Sequence, residues 1–277
     1  NVDAKTHPYI STGLKENKFG VSMAVAPSVY AHAQAHPWLN VHGIDCHIGS
    51  QLTDPSPYFD ALDRVLGLVD QLSAQGVQID HLDLGGGIGI RYRDENPPKP
   101  ADVLPQLIAR VRQWAQAKGR PIPTLAFEPG RSIVGNAGVL ITEVQYLKHG
   151  ATKNFAVVDA AMNDLMRPAL YAAHHEVLPV RTPEMGSSRR AVDLVGPICE
   201  STDRFAKDRP MPPLKEGDLV AFMTAGAYGA TLSSQYNSRP LVAEALVRGD
   251  ACVVVRRRPT FEEMIALERA PDWIASG

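Results

Sequence analysis

The sequence predicts an α/β fold: part of a (β/α)8 barrel over residues 1–136, followed by a mostly β domain over residues 137–277. Three observations predict it. Short apolar strands alternate with amphipathic helices through the first half, the pattern of βα units on a parallel sheet. Polar and glycine-rich segments follow the strands of that half, at the strand ends where parallel barrels assemble their sites. After Asn136 the helical period gives way to strands separated by turn signals.

Residues 19–23 read as a short strand and residues 26–36 as the helix after it, with Pro27 suited to a first turn. Residues 41–47 form the next strand, ending in Ile48-Gly49-Ser50-Gln51. Residues 58–75 carry Leu62, Val65, Leu66, Val69 and Leu72 at helical spacing, and Gly76 is the stop. Residues 79–84 make a strand that runs into Gly85-Gly86-Gly87. A Pro-rich loop leads to a helix over residues 103–117, then to a strand over residues 124–127. In the second half, strands are expected over residues 138–148, 154–159, 190–195, 218–223, 241–248 and 251–257. Gly249-Asp250 joins the last two as a hairpin. The helix from Thr260 opens with a capping box, Glu263 standing three positions after the cap.

A closed barrel needs eight strands and typically about 250 residues, whereas the first half supplies about four βα units. Half a barrel leaves two open edges, so further strands are expected upstream of Asn1. The start Asn1-Val2-Asp3-Ala4 fits that expectation, having no initiator Met.

Composition narrows the function. With 44% hydrophobic residues in 277, the chain can bury a sizeable core. A formal charge of -2 offers no basic field for nucleic acid, and no apolar run reaches the roughly 18 residues of a membrane span. Cys46, Cys199 and Cys252 are few, odd in number and widely spaced, which favours a reducing, cytoplasmic setting over a disulfide framework. No metal site is expected.

Glu128-Pro129-Gly130-Arg131 closes a buried strand with one carboxylate, one guanidinium and a glycine that exposes backbone N–H groups. Such parts suit an anionic cofactor with a protonatable ring nitrogen. Gly85-Gly86-Gly87 can bring N–H groups close to a phosphate, and it equally describes a tight turn. His47, with Ser50 nearby, can be a site residue or a satisfied core histidine, and Glu128 can be a structural partner of Arg131. Singly the structural readings prevail; at three consecutive strand ends the site reading does. In the second half, the run from Asp159 to Tyr171 is a strand end passing into a polar loop. Cys199-Glu200 sets a thiol beside a carboxylate, an arrangement that suits a proton donor more than a thiolate nucleophile. Ala225-Gly226-Ala227-Tyr228-Gly229 is a small-residue loop with one phenol.

His47-Ile48-Gly49-Ser50-Gln51, Gly85-Gly86-Gly87, Glu128-Pro129-Gly130-Arg131, Cys199-Glu200-Ser201 and Gly226-Ala227-Tyr228-Gly229 resemble the motifs of the diaminopimelate decarboxylases. These are fold-type III pyridoxal phosphate enzymes with an alanine-racemase-type (β/α)8 barrel and a β domain. The resemblance covers essentially the whole chain. It implies decarboxylation of meso-2,6-diaminopimelate to L-lysine, with pyridoxal 5'-phosphate as cofactor. His47 would stack on the cofactor ring, with Ser50 nearby. Gly86, Gly87, Gly130 and Arg131 would meet the phosphate, Pro129 lying within that segment, and Tyr228 would close on it from the other domain. Glu128 would keep the pyridine nitrogen protonated. Arg131, Arg167 and Tyr171 would hold the distal carboxylate, Glu200 the distal ammonium, and Cys199 would return a proton to the α-carbon. A homodimer is implied, with Cys199 and Glu200 reaching the partner's site.

The family anchors its cofactor on a lysine in an Ala-x-Lys-Ala-Asn context, which is absent from this sequence. The lysines here are Lys5, Lys15, Lys18, Lys99, Lys118, Lys148, Lys153, Lys207 and Lys215. The anchor is therefore expected upstream, the chain being a fragment without it. Two alternatives stand beside this reading. One is a decarboxylase for another basic amino acid: ornithine or arginine, which the pair Arg131 and Arg167 disfavours because two cations repel a distal ammonium, or carboxynorspermidine, which is longer and carries its carboxylate differently. The other is a non-catalytic binding or regulatory relative.

Overall fold

In the computed structural model, which describes Thr12, residues 18–184 and residues 186–275, the chain divides into two units, Asn1–Gly138 and Val139–Gly277. The chain start, Lys5 and Lys15 lie outside the described residues.

In the first unit β1 (Gly43–Asp45), β2 (His81–Gly86) and β3 (Thr124–Glu128) pair in parallel, in that order. Helix α1 (Ala26–Gln34) precedes β1, α2 (Ser56–Ala74) links β1 to β2, and α3 (Pro100–Ala117) links β2 to β3. The apolar stripe of α2 is what buries it: Leu62, Val65, Leu66, Val69 and Leu72 all enter the core. Gly76, at φ 82°, ends that helix in the left-handed region that glycine adopts without strain. Helix α3 inserts Val103, Leu107, Val111 and Ala115, a strict four-residue period along one face.

One expected element is absent. Residues 19–23 do not form a strand but bend and turn into α1, with the N–H groups of Val25 and Ala26 donating to the Ser22 carbonyl. Phe19 and Val21 are each 56% exposed. The apolar alternation there found no neighbouring strand among the described residues, and the turn hydrogen bonds won. Among the described residues the sheet accordingly has three strands where four were expected.

The second unit holds β4 (Leu140–His149), β5 (Asn154–Val158), β6 (Val177–Pro179), β7 (Arg190–Val195), β8 (Arg204–Met211) and β9 (Leu219–Phe222). They form one mixed sheet in the order β6-β9-β4-β5-β7-β8. Val144, Ala156, Val158, Leu194, Val220 and Phe222 are fully buried on it, and the Phe205 and Phe222 rings pack with centroids 4.5 Å apart. Strands β10 (Glu244–Arg248) and β11 (Ala251–Arg256) form the expected hairpin. The capping box of Thr260 and Glu263 opens the short helix Phe261–Ile265. The sequence reading omitted β6 and β8. Both are edge strands, and each carries a proline, Pro179 or Pro210, that an edge tolerates and a pattern search rejects.

Asp193 of β7 is buried, and accepts from Lys153 Nζ at 2.6 Å and from the Asp208 N–H at 2.7 Å. Burial alone would raise its carboxyl, but the Asp208 N–H and the Lys153 ammonium together hold it below the ordinary aspartate value. A carboxyl held low in the folded state stabilises above its unfolded value, and that contribution is lost as pH falls through the folded value. Replacement Asp193→Asn should therefore flatten the acid limb of the melting temperature plotted against pH. An acid limb as steep as that of the native chain would show that the pair contributes nothing.

Candidate active site

Parallel pairing brings the carboxyl ends of β1, β2 and β3 to one edge of the sheet, and the motifs of the first half lie there. Carboxylate oxygens of Asp45, Asp83 and Glu128 approach within 4.8 Å of one another. His47, exposed just beyond β1, accepts the Gly86 N–H on Nδ1 at 3.3 Å. Asp83 Oδ1 takes the Gly85 N–H at 2.8 Å, and the Tyr58 hydroxyl donates to the Gly86 carbonyl at 3.1 Å.

The three glycines have a packing reason. A Cβ on Gly85 would overlap the Cys46 carbonyl, one on Gly86 the Glu128 carbonyl, and one on Gly87 the Gly49 carbonyl. Gly130 is different. It sits at φ −79°, where any residue fits, and a Cβ there would meet nothing within 4 Å. It leads into the short helix α4 (Arg131–Val134), and the neighbouring Ser132 Oγ is buried with no hydrogen-bond partner among the described residues. Open space at Gly130, a buried hydroxyl without a partner and the Arg131 guanidinium next to them fit the phosphate end of an anionic cofactor. Pro129 joins Glu128 rigidly to that segment.

Arg131 is only 5% exposed. Its Nη1 donates to the Tyr92 hydroxyl at 2.5 Å and its Nη2 to Ser50 Oγ at 3.0 Å, with the guanidinium carbon 5.7 Å from the Tyr92 ring centre. Tyr92 had no motif to mark it in the sequence. Gln51 belongs to the motif after β1, which assigns it no role of its own. Its amide exchanges hydrogen bonds with both backbone groups of Ile90, which ties the loop after β1 to the loop after β2. Burial pushes the Cys46 thiol up to about 11, with Asp45 and Asp83 adding to the effect.

In the second unit, Arg167 and Tyr171 lie one turn apart on helix α5 (Arg167–Tyr171). Arg167 is buried, and its Nη1 lies 3.0 Å from Nε2 of His175, whose Nδ1 is 2.9 Å from the Met223 carbonyl. Cys199 and Glu200 are exposed on one loop. Buried Asp203 fixes that loop by accepting the Ile198 N–H at 2.8 Å, and reaches across to the Met162 N–H at 2.7 Å. Burial raises the Asp203 carboxyl even though the two N–H groups pull it down. Glu200 accepts from the Thr202 hydroxyl and from the Tyr236 hydroxyl, the latter at 2.5 Å, and these bonds hold its carboxyl below the ordinary glutamate value. Arg239 donates to Asn163 Oδ1 at 3.1 Å and to the Asp159 carbonyl at 2.5 Å, joining the loop of Tyr236 to the loop before Arg167. Tyr228 is exposed and adopts φ 56°, a left-handed conformation that costs a side-chain-bearing residue about 1–2 kcal/mol. His175, Asp203, Tyr236 and Arg239 were not singled out in the sequence.

Residues 1–135 match the family described as pyridoxal-dependent decarboxylase, pyridoxal binding domain. Diaminopimelate decarboxylase of Vibrio cholerae is 53% identical over 268 residues, covering 97% of this chain and 62% of that protein. The Pseudomonas aeruginosa enzyme of the same name is 57% identical with the same coverage of both. Among solved structures, diaminopimelate decarboxylase from Helicobacter pylori complexed with L-lysine superposes with a TM-score of 0.86 at 42% identity, over 97% of this chain and 64% of that one. The M. jannaschii enzyme in co-complex with L-lysine gives a TM-score of 0.87 at 35% identity, over 99% of this chain and 62% of that one. The chain thus spans a little under two thirds of the length of the relatives it matches.

The glycines separate structure from site. Gly86→Ala should lower stability by about 1–3 kcal/mol, because β2 and β3 must part to admit the methyl group. Gly130→Ala should leave stability within about 0.5 kcal/mol of the native chain. Chemical denaturation of both variants measures this. Equal losses would mean that Gly130 also serves packing.

Proposed function

We propose that this chain, which belongs to the pyridoxal-dependent decarboxylases, carries part of the machinery for decarboxylating meso-2,6-diaminopimelate to L-lysine and CO₂, the Ala-x-Lys-Ala-Asn anchor not being among its residues. The observation that carries the reading is the edge at the end of β3. There a carboxylate (Glu128), an open glycine (Gly130) and a buried guanidinium (Arg131) follow one another on a rigid strand end.

When bound, pyridoxal phosphate supplies an electron sink for the pair left on the α-carbon as CO₂ departs. In this proposal Glu128 faces the ring nitrogen and keeps it protonated, and His47, oriented by the Gly86 N–H, covers the ring with Ser50 beside it. The segment from Gly86 to Gly87, the segment from Pro129 to Arg131, and Tyr228 are assigned to the phosphate. Arg131, Arg167 and Tyr171 grip the distal carboxylate, for which a planar guanidinium is well matched. Glu200, kept ionised by its hydroxyl partners, takes the distal ammonium. The Cys199 thiol holds the proton that the α-carbon receives. A homodimer, in which Cys199 and Glu200 serve the partner's site, completes the proposal.

The test is CO₂ release from meso-2,6-diaminopimelate, with pyridoxal phosphate supplied, by a protein that joins this chain to a segment bearing the anchoring lysine, set against ornithine, arginine and lysine. Binding of the cofactor is read separately from absorption after dialysis. Turnover should be confined to diaminopimelate. Arg167→Met should lower kcat/KM about a hundredfold, through lost charge-assisted hydrogen bonds. Cys199→Ala should lower kcat by about 10²–10⁴. Comparable kcat/KM on ornithine, or a protein that carries the anchoring lysine and still retains no cofactor, would sink the proposal.

A further inference from the structure

The hydrogen-bonding roles of His175 follow from its neighbours. Its ring is fully buried. Nδ1 lies 2.9 Å from the Met223 carbonyl, which can only accept, so Nδ1 carries the hydrogen. Nε2 lies 3.0 Å from Arg167 Nη1, which can only donate, so Nε2 offers its lone pair. The imidazole that satisfies both contacts is neutral, and its tautomer is fixed by the network.

We propose that His175 is a positioning residue that holds the Arg167 guanidinium in the orientation that receives the substrate's distal carboxylate. The proposal rests on the reading of Arg167 given above. A carboxylate in the place of His175 would hold Arg167 equally well while cancelling the charge that an incoming carboxylate needs. A neutral acceptor fixes the direction of the guanidinium and itself cancels none of its charge.

The brace is itself anchored. Ala172, at φ 51°, reverses the chain after α5, and the Ala173 N–H closes on the Arg167 carbonyl, which returns the backbone towards His175. Arg209 of β8 grips both sides of that segment, donating to Glu176 Oε2 at 2.9 Å and to the His175 carbonyl at 3.1 Å. The Met223 N–H donates to the Glu176 carbonyl at 2.8 Å, next to the pairing of β6 with β9, so the carbonyl that orients His175 belongs to the sheet. Three links therefore tie the guanidinium to the sheet: Arg167 to the His175 ring, that ring to the Met223 carbonyl, and the His175 carbonyl to Arg209. Each link is a hydrogen bond with a defined direction.

The test combines long-range ¹H–¹⁵N spectra of the imidazoles with calorimetric binding of pimelate, a seven-carbon dicarboxylate that lacks the amino groups. One imidazole should be locked with its proton on Nδ1, and its Nε2 signal should move in Arg167→Met. His175→Gln, whose Oε1 can accept from Arg167, should keep pimelate affinity within about threefold. His175→Ala should lose about tenfold while retaining the native far-UV spectrum, as expected for one hydrogen bond to a charged group. An Nε2 signal unmoved in Arg167→Met, or native affinity in His175→Ala, overturns the proposal. Equal pimelate binding by the native chain and by Arg167→Met removes the carboxylate reading of Arg167, and the proposal with it. A moved Nε2 signal would then still report the hydrogen bond, so the two failures are told apart.

Discussion

The first unit depends on how closely three backbones approach at the carboxyl ends of its strands. Carbonyl oxygens of Cys46, Glu128 and Gly49 occupy the space where Gly85, Gly86 and Gly87 would carry side chains. Only that approach lets the Gly86 N–H reach the His47 ring and lets Asp45, Asp83 and Glu128 gather at one edge. Like charges so close oppose one another, and exposure of Asp45 and Glu128 to water keeps that cost modest. The same edge is well suited to a positively charged ring nitrogen, the role assigned above to Glu128. Packing and chemistry thus make the same demand on these glycines, and Gly130, which packs against nothing, is where the two demands separate.

In each unit a buried arginine donates to neutral groups. Arg131 donates to the hydroxyls of Tyr92 and Ser50, and Arg167 to the imidazole of His175. Arg110 with Asp63 and Arg257 with Glu263 are different, being exposed pairs whose charges cancel. Pairs of that kind contribute little to stability, and they leave no net charge to present to a ligand. Hydroxyl and imidazole partners accept from the guanidinium without themselves cancelling its positive charge. That combination is what anion recognition asks of a buried arginine.

What the sequence could disclose follows from the range of the interactions. Helices α2 and α3 were legible because Leu62 to Leu72 and Val103 to Ala115 repeat within a few residues. The Gly249-Asp250 turn and the Thr260–Glu263 box are local in the same sense. The site segments were legible as motifs at strand ends, since parallel topology delivers those ends to one edge. Their braces were not. Tyr92 lies 39 residues from Arg131, Asp203 lies 41 from Met162, and His175 lies 48 from Met223. No periodicity spans such distances. The residues at 19–23 erred in the opposite direction, for their alternation was local but a strand needs a neighbour.

Asp203 explains how an exposed loop can hold the Cys199 thiol in a fixed place. Loops with small and polar residues move more than the strands they join, and Cys199 and Glu200 stand on such a loop. One oxygen of Asp203 takes the Ile198 N–H, immediately before Cys199, and the other takes the Met162 N–H, five residues before Arg167. The loop of the thiol and the loop of the guanidinium are thereby tied to a single buried carboxylate. Gly196 completes the arrangement, because any side chain there would overlap the Asp203 oxygens. Burying the carboxylate is unfavourable, as its raised proton affinity records. That cost is borne to fix geometry, since an asparagine would turn an N–H group towards one of the two donors and release one of the loops.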